Sequence, residues 1–211
     1  MGSVRFALVA QIVVNWIVID VTCYTKHRVH LCNGGAIVID REKYGNIILC
    51  FLHKINNTHL GKTKLMKLIY YLDFDHFEKY NISVTGDSYC NLPAGPVPDR
   101  ASLILEEMKD EGLIDISTKQ VNNVRKYEYT PFVSPGMDVF GITEINMLEE
   151  VCKKWEHHST AEIVNASHGE EPWIATREGE NIPYALAFYR HKFDTPDFDN
   201  DKDNICYASV E

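Results

Sequence analysis

Residues 63–80 read TKLMKLIYYLDFDHFEKY, and few stretches leave a chain so little choice of fold. Leu65, Leu68, Ile69 and Leu72 recur at the spacing of one helical face, and Tyr70, Phe74 and Phe77 widen that face. A helix that is apolar over most of its circumference must be covered over most of it. The domain is therefore expected to be built around this helix, with other elements packed on several sides. Its remaining polar line is narrow: Lys64, Lys67 and Tyr71 at i, i+3 and i+7, with Asp75 one turn further along. Pairing of these lysines with acids such as Asp75 is the expected role of that line.

The flanking elements follow from local signals. Asp40 caps a helix with an inward stripe of Tyr44, Ile47, Ile48, Phe51, Leu52 and Ile55, stopping near NNTHLG. After a turn at Thr85-Gly86-Asp87 comes YCNLPAGPVPD, residues 89–99, in which Pro93, Pro96 and Pro98 fix φ beside a permissive Gly95. We read it as a rigid corner between a strand and a helix capped by Asp99, with Ala101, Ile104, Leu105 and Met108 inward and Gly112 closing the helix. Ile114, Ile116, Tyr127 and Tyr129 alternate as one face of an antiparallel hairpin. A helix then starts near Thr143, with Ile145, Leu148, Cys152 and Trp155 inward, and Ser159 with Glu162 forms a capping box for a short one. The loop HGEEPW leads to a last helix from Pro183. The expected fold class is mainly α (α+β): a compact helical domain with a small antiparallel hairpin, partly winged-helix-like.

Three segments are expected. Residues 1–38 form an extension whose stretch FALVAQIVVNWIVIDVTC suits a strand or helix packed on the domain, a membrane or export signal, or an unanchored extension. Residues 39–193 form the domain. Residues 194–211 form an acidic, mobile tail: from Phe193 onward six acids stand against one lysine, a net of −5 within a whole-chain charge of −9. Such a balance repels a phosphate backbone. Six scattered cysteines without a C-x-x-C pair suit free thiols in a reducing cytoplasm, and no membrane partner is expected.

No chemistry-bearing motif survives inspection. Gly61-Lys62-Thr63 lacks the first glycine of a phosphate loop, Asn56 standing in its place, and reads as a turn with Thr63 as cap. His157 and His158 point about 100° apart on a helix, an arrangement that does not suit one ion. No nucleophile elbow is present, and Glu106-Glu107 and Glu149-Glu150 fall on helix surfaces. The hairpin tip carries Lys119, Arg125 and Lys126, but the preceding helix is acidic, a poor surface for reading DNA. No catalytic residue, metal or cofactor is expected.

The stretches that resist a catalytic reading match a family. Lys64-Leu65-Met66-Lys67-Leu68-Ile69-Tyr70-Tyr71, then Tyr89, then Ala94-Gly95-Pro96-Val97, and finally His168 with Pro172-Trp173, occur in the order and approximate spacing of the Panacea domain. The chain resembles these SocA-like antitoxins, also known from phage-associated GepA-like proteins, over roughly residues 40–190. The resemblance implies neutralisation of a small protein toxin encoded by an adjacent gene, through direct protein–protein binding, in the cytoplasm and without nucleic acid. A winged-helix-like DNA-binding regulator, and an adaptor that delivers a bound toxin to a cellular protease, are the alternatives it leaves open. The residues carried over as signature and toxin-binding candidates are Lys64, Lys67, Tyr71, Tyr89, Gly95, Pro96, His168 and Trp173. His168, Pro172 and Trp173 are expected to hold the last helix against the Lys64–Asp75 helix.

Overall fold

A computed structural model describes residues 30–32, 35–37, 39–55, 60–121 and 124–190. The expectations for the apolar stretch 6–23 and for the tail 194–211 lie outside the described residues. Short strands β1 (His30–Cys32) and β2 (Gly35–Ile37) pair antiparallel ahead of helix α1 (Arg41–Lys54). Asp40 caps α1 as expected, its carboxylate accepting from the Lys43 N–H. The stripe from Tyr44 to Ile55 is buried along its length.

Helix α2 (Lys62–Tyr80) is the hub. Every residue from Lys64 to Phe74 is buried, so three turns have no solvent face. Around it pack α1, α4 (Ile142–Trp155), α5 (Thr160–His168), strand β4 (Gly95–Pro98), β6 (Val124–Pro131) and a closing 3-10 helix (Tyr184–Tyr189). The cap differs from expectation: Gly61, in extended conformation, is the N-cap, and Thr63 already lies within the helix. The closing segment is a 3-10 helix where an α-helix from Pro183 was expected, and HGEEPW contains the short helix α6 (Glu171–Ile174).

YCNLPAGPVPD corrects the corner reading. It is a tight antiparallel hairpin of β3 (Tyr89–Leu92) and β4, in register Tyr89↔Pro98, Cys90↔Val97, Asn91↔Pro96 and Leu92↔Gly95. Proline lacks the donor a ladder needs, yet Pro96 and Pro98 sit two residues apart, so both fall at positions whose backbone groups face away from β3. The outward groups of β3 bond elsewhere: Asn91 N–H donates to the Glu180 carbonyl, and Ile182 N–H donates to the Tyr89 carbonyl.

Helix α3 (Ala101–Asp110) buries Ala101, Ile104, Leu105 and Met108. Its N-cap residue is Arg100, where Asp99 was expected, and no side chain caps the first turn; just ahead of it the Asp87 carboxylate accepts from the Arg100 N–H at 2.9 Å. Its end follows the sequence signal: Gly112 has φ +70°, the Leu113 N–H reaches the Met108 carbonyl and the Gly112 N–H that of Lys109. Strands β5 (Ile114–Val121) and β6 form the expected hairpin, with Ile116 opposite Tyr129. Ser159 and Glu162 make the expected capping box at α5. The described chain is thus mainly helical, carrying three two-stranded antiparallel sheets.

Gly95 is where this packing tolerates least change. Its φ is +91°, and a Cβ there would lie 2.6 Å from Ser167 Oγ and 2.9 Å from Lys67 Nζ. Gly95→Ala combines backbone strain with overpacking and is expected to cost about 3 kcal/mol or more, read by urea unfolding. A loss below about 1 kcal/mol would show that the hairpin can retreat from α2.

Candidate functional site

Lys67 sits on the face of α2 that meets the β3–β4 hairpin and is fully buried. The alternation of Pro96 and Pro98 turns the Pro96 carbonyl outward from β3, and the Lys67 ammonium donates to it. Burial pushes the Lys67 amine down to about 7. The acid partner expected for it is absent because Asp75 points elsewhere, to Arg190. His168, at the end of α5, is held below its ordinary pKa by burial and by the neighbouring Lys67 charge, with a hydrogen bond to the Pro93 backbone acting the other way.

Lys64 follows the same logic one turn earlier. Also fully buried, it donates to the His158 carbonyl at 2.5 Å, and burial lowers its pKa while Glu162 pulls it up. Tyr71 packs its ring 4.7 Å from Trp155, with Lys154 Nζ 5.1 Å from the ring centre. Its hydroxyl is pushed to higher pKa by burial and by Glu170. Lys64, Lys67 and Tyr71 are therefore buried inside the domain.

Tyr89 belongs to a second buried network. Its hydroxyl donates to Asp73 at 2.6 Å, and Asp73 also accepts from the Val84 and Thr85 N–H groups, the Thr85 hydroxyl and the Tyr184 hydroxyl. Burial raises the Asp73 pKa in spite of these donors. Asp87 accepts from the Tyr44 hydroxyl and from the Ser88 and Arg100 N–H groups, and burial pushes it up to about 6.

His168 and Trp173 lie at the edge. Their rings stack at 4.2 Å, and the Trp173 indole donates to the Leu92 carbonyl at 3.2 Å. Trp173 is half-buried, so it pins the α5–α6 corner onto the hairpin, while contact of the closing 3-10 helix with α2 is made through Tyr184 stacked on Phe77. Beside it lies a cleft of about 310 Å³ lined by Asn91, Pro93, Trp173, Ile174, Thr176 and Glu178. Of the eight signature residues, Tyr89, Gly95 and Pro96 belong to this hairpin, and Lys67, His168 and Trp173 converge on it. Lys64 and Tyr71 do not.

The structure adds residues that pattern reading passed over. The Asn91 side chain donates to the carbonyls of Trp173 and Thr176 and to the Thr176 hydroxyl, each at 2.9 Å. The Arg190 side chain is 2 % exposed and binds Asp75, Glu78 and Glu170. Asp73 carried the one available signal, an acid inside an otherwise apolar run. Among the described residues no cluster of His, Cys, Asp or Glu could hold a metal ion, and no helix is long and apolar enough to cross a membrane. Cys50, Cys90 and Cys152 are free thiols.

The buried amine makes a pH signature. An unfolded lysine titrates near ~10.4, whereas native Lys67 holds its proton only below about 7. Between pH 7 and 9 the unfolded chain thus binds more protons, and this contribution to stability rises with pH. Asp87 acts at lower pH with the opposite sign: its folded pKa of about 6 lies above the unfolded value, so its contribution falls as pH rises toward 6. Urea unfolding of wild type and Lys67→Met from pH 6 to 9 is expected to show wild type gaining stability relative to the variant. Parallel curves would mean that the amine titrates normally.

A family model described as "Antitoxin SocA-like, Panacea domain" matches residues 65–174, from the second turn of α2 through α6. No curated protein and no solved structure matched the chain. The match spans half of the sequence and takes in most of the buried hub, the whole hairpin and the His168–Trp173 corner, so the chain belongs to the SocA-like antitoxin family built on the Panacea domain.

Proposed function

We propose that this protein is an antitoxin that neutralises a small protein toxin, encoded by an adjacent gene, by binding it directly. The observation that carries the reading is the family match over residues 65–174. The geometry supports it in one respect: three ionisable groups of the signature are taken up by hydrogen bonds inside the domain. Lys64 and Lys67 bond to carbonyls, and the hydroxyl of Tyr89 bonds to Asp73. A module of this kind would meet its partner through other, exposed residues. Three free thiols among the described residues fit action in the cytoplasm.

The DNA-binding alternative draws less support. Lys119 on the β5–β6 hairpin is paired with Glu128 at 2.7 Å, and the outer face of α3 presents exposed Glu106 and Asp110. Co-expression with the product of the adjacent reading frame tests the proposal. Growth rescue and recovery of a stoichiometric complex free of nucleic acid are expected. Rescue without a complex, or rescue that needs a bound promoter fragment, would overturn it. Rescue accompanied by loss of the toxin in a protease-dependent manner would point to the adaptor role instead.

A further inference from the structure

We infer that the cleft between the tip of the β3–β4 hairpin and α6 is the surface that takes the protein partner, through an apolar side chain flanked by lysine or arginine. This deepens the antitoxin reading and rests on it. The cleft, about 310 Å³, is large enough for one bulky side chain and its neighbours. Its lining exposes Ile174, at 58 %, beside the half-buried Trp173 indole, and Leu92, between the lining residues Asn91 and Pro93 in the chain, is itself 37 % exposed.

The walls are already fixed. Asn91 ties the hairpin to the backbone of Trp173 and Thr176, the Gly179 N–H donates to the Asn91 carbonyl at 2.7 Å, and Thr176 donates to the Pro172 carbonyl at 2.8 Å. A preformed apolar hollow with an aromatic wall loses little freedom on binding, which is the setting in which a few contacts supply most of an interface's affinity.

The charge around the hollow selects the partner's chemistry. Glu171, Glu178 and Glu180 stand against Arg177 alone along residues 171–180, and Glu178 itself lines the cleft. That rim attracts basic residues and disfavours a phosphate backbone. A second cleft, between α2 and α4, lacks both features: Asp75, Glu78 and Glu150 there balance Lys79, Lys154 and Arg190, and Met147 is its one apolar lining residue.

Random-peptide display on the full chain, with Ile174→Glu as counter-target, tests the inference without needing the toxin. Enriched peptides are expected to carry a large apolar residue beside Lys or Arg. They should bind wild type at least about tenfold tighter than Ile174→Glu or Glu178→Lys, both surface changes that should leave the melting curve in place. No enrichment, a consensus without basic residues, or equal binding to both variants would overturn the inference. Toxin rescue is then measured with the same variants. Undiminished rescue by Ile174→Glu and Glu178→Lys would also overturn it, whereas failure of wild type itself to rescue would strike the antitoxin reading and leave the peptide result to judge the cleft.

Discussion

Enclosing a helix on all sides sets the terms for everything else in this protein. Eleven consecutive residues of α2, Lys64 to Phe74, have no solvent face, so the polar atoms they carry are cut off from water, and most of them find a partner within the protein. Those partners come from distant parts of the chain. The Pro96 carbonyl takes Lys67, the His158 carbonyl takes Lys64, Glu170 takes the Tyr70 hydroxyl, and the 84–89 segment and Tyr184 surround Asp73. Each pairing fixes the place of one peripheral element. The hub thus orders its surroundings by its polar exceptions as much as by its apolar bulk.

The two kinds of buried ionisable group are handled alike. Lys67 has no anion beside it, and the Asp73 and Asp87 carboxylates have no cation bonded to them among the described contacts. Neutral dipoles serve in both cases: a carbonyl for the amine, and amide and phenolic donors for the acids. Bonding of that kind lets burial move the pKa toward the neutral form, which an opposite charge would have prevented. Arg190 is the contrast, held by three carboxylates at the margin of α2 where water still reaches its partners.

Much of this was legible from local pattern. The caps of α1 and α5 and the closure of α3 depend on residues three or four apart, and sequence shows those directly. The hub was legible because its apolar run is too wide for one face. The β3–β4 hairpin was not, because prolines count against a strand unless the alternation of their carbonyls is known. The start of α3 was misplaced for a similar reason: the carboxylate that holds the N–H of its N-cap residue, Arg100, comes from Asp87, thirteen residues earlier. The partners of Lys64 and Lys67 are backbone carbonyls, which no residue type announces. Six signature residues meet at one hairpin, and only the fold brings α5 and α6 there.

The encirclement of α2 also decides how the protein comes apart. Helices α4 and α5, strand β4 and the 3-10 helix lean on it more than on its other neighbours, and the elements around it arrive from both ends of the described chain, α1 from one side and the 3-10 helix from the other. Fraying of a single neighbour can proceed locally, yet exposing the middle of α2 requires most of them to leave together. Its central amides should therefore exchange with solvent only through global unfolding, which makes this helix the slowest clock in the molecule. A protease meeting the folded chain would find its openings at the rim, and a fragment lacking either flank would leave the hub half bare.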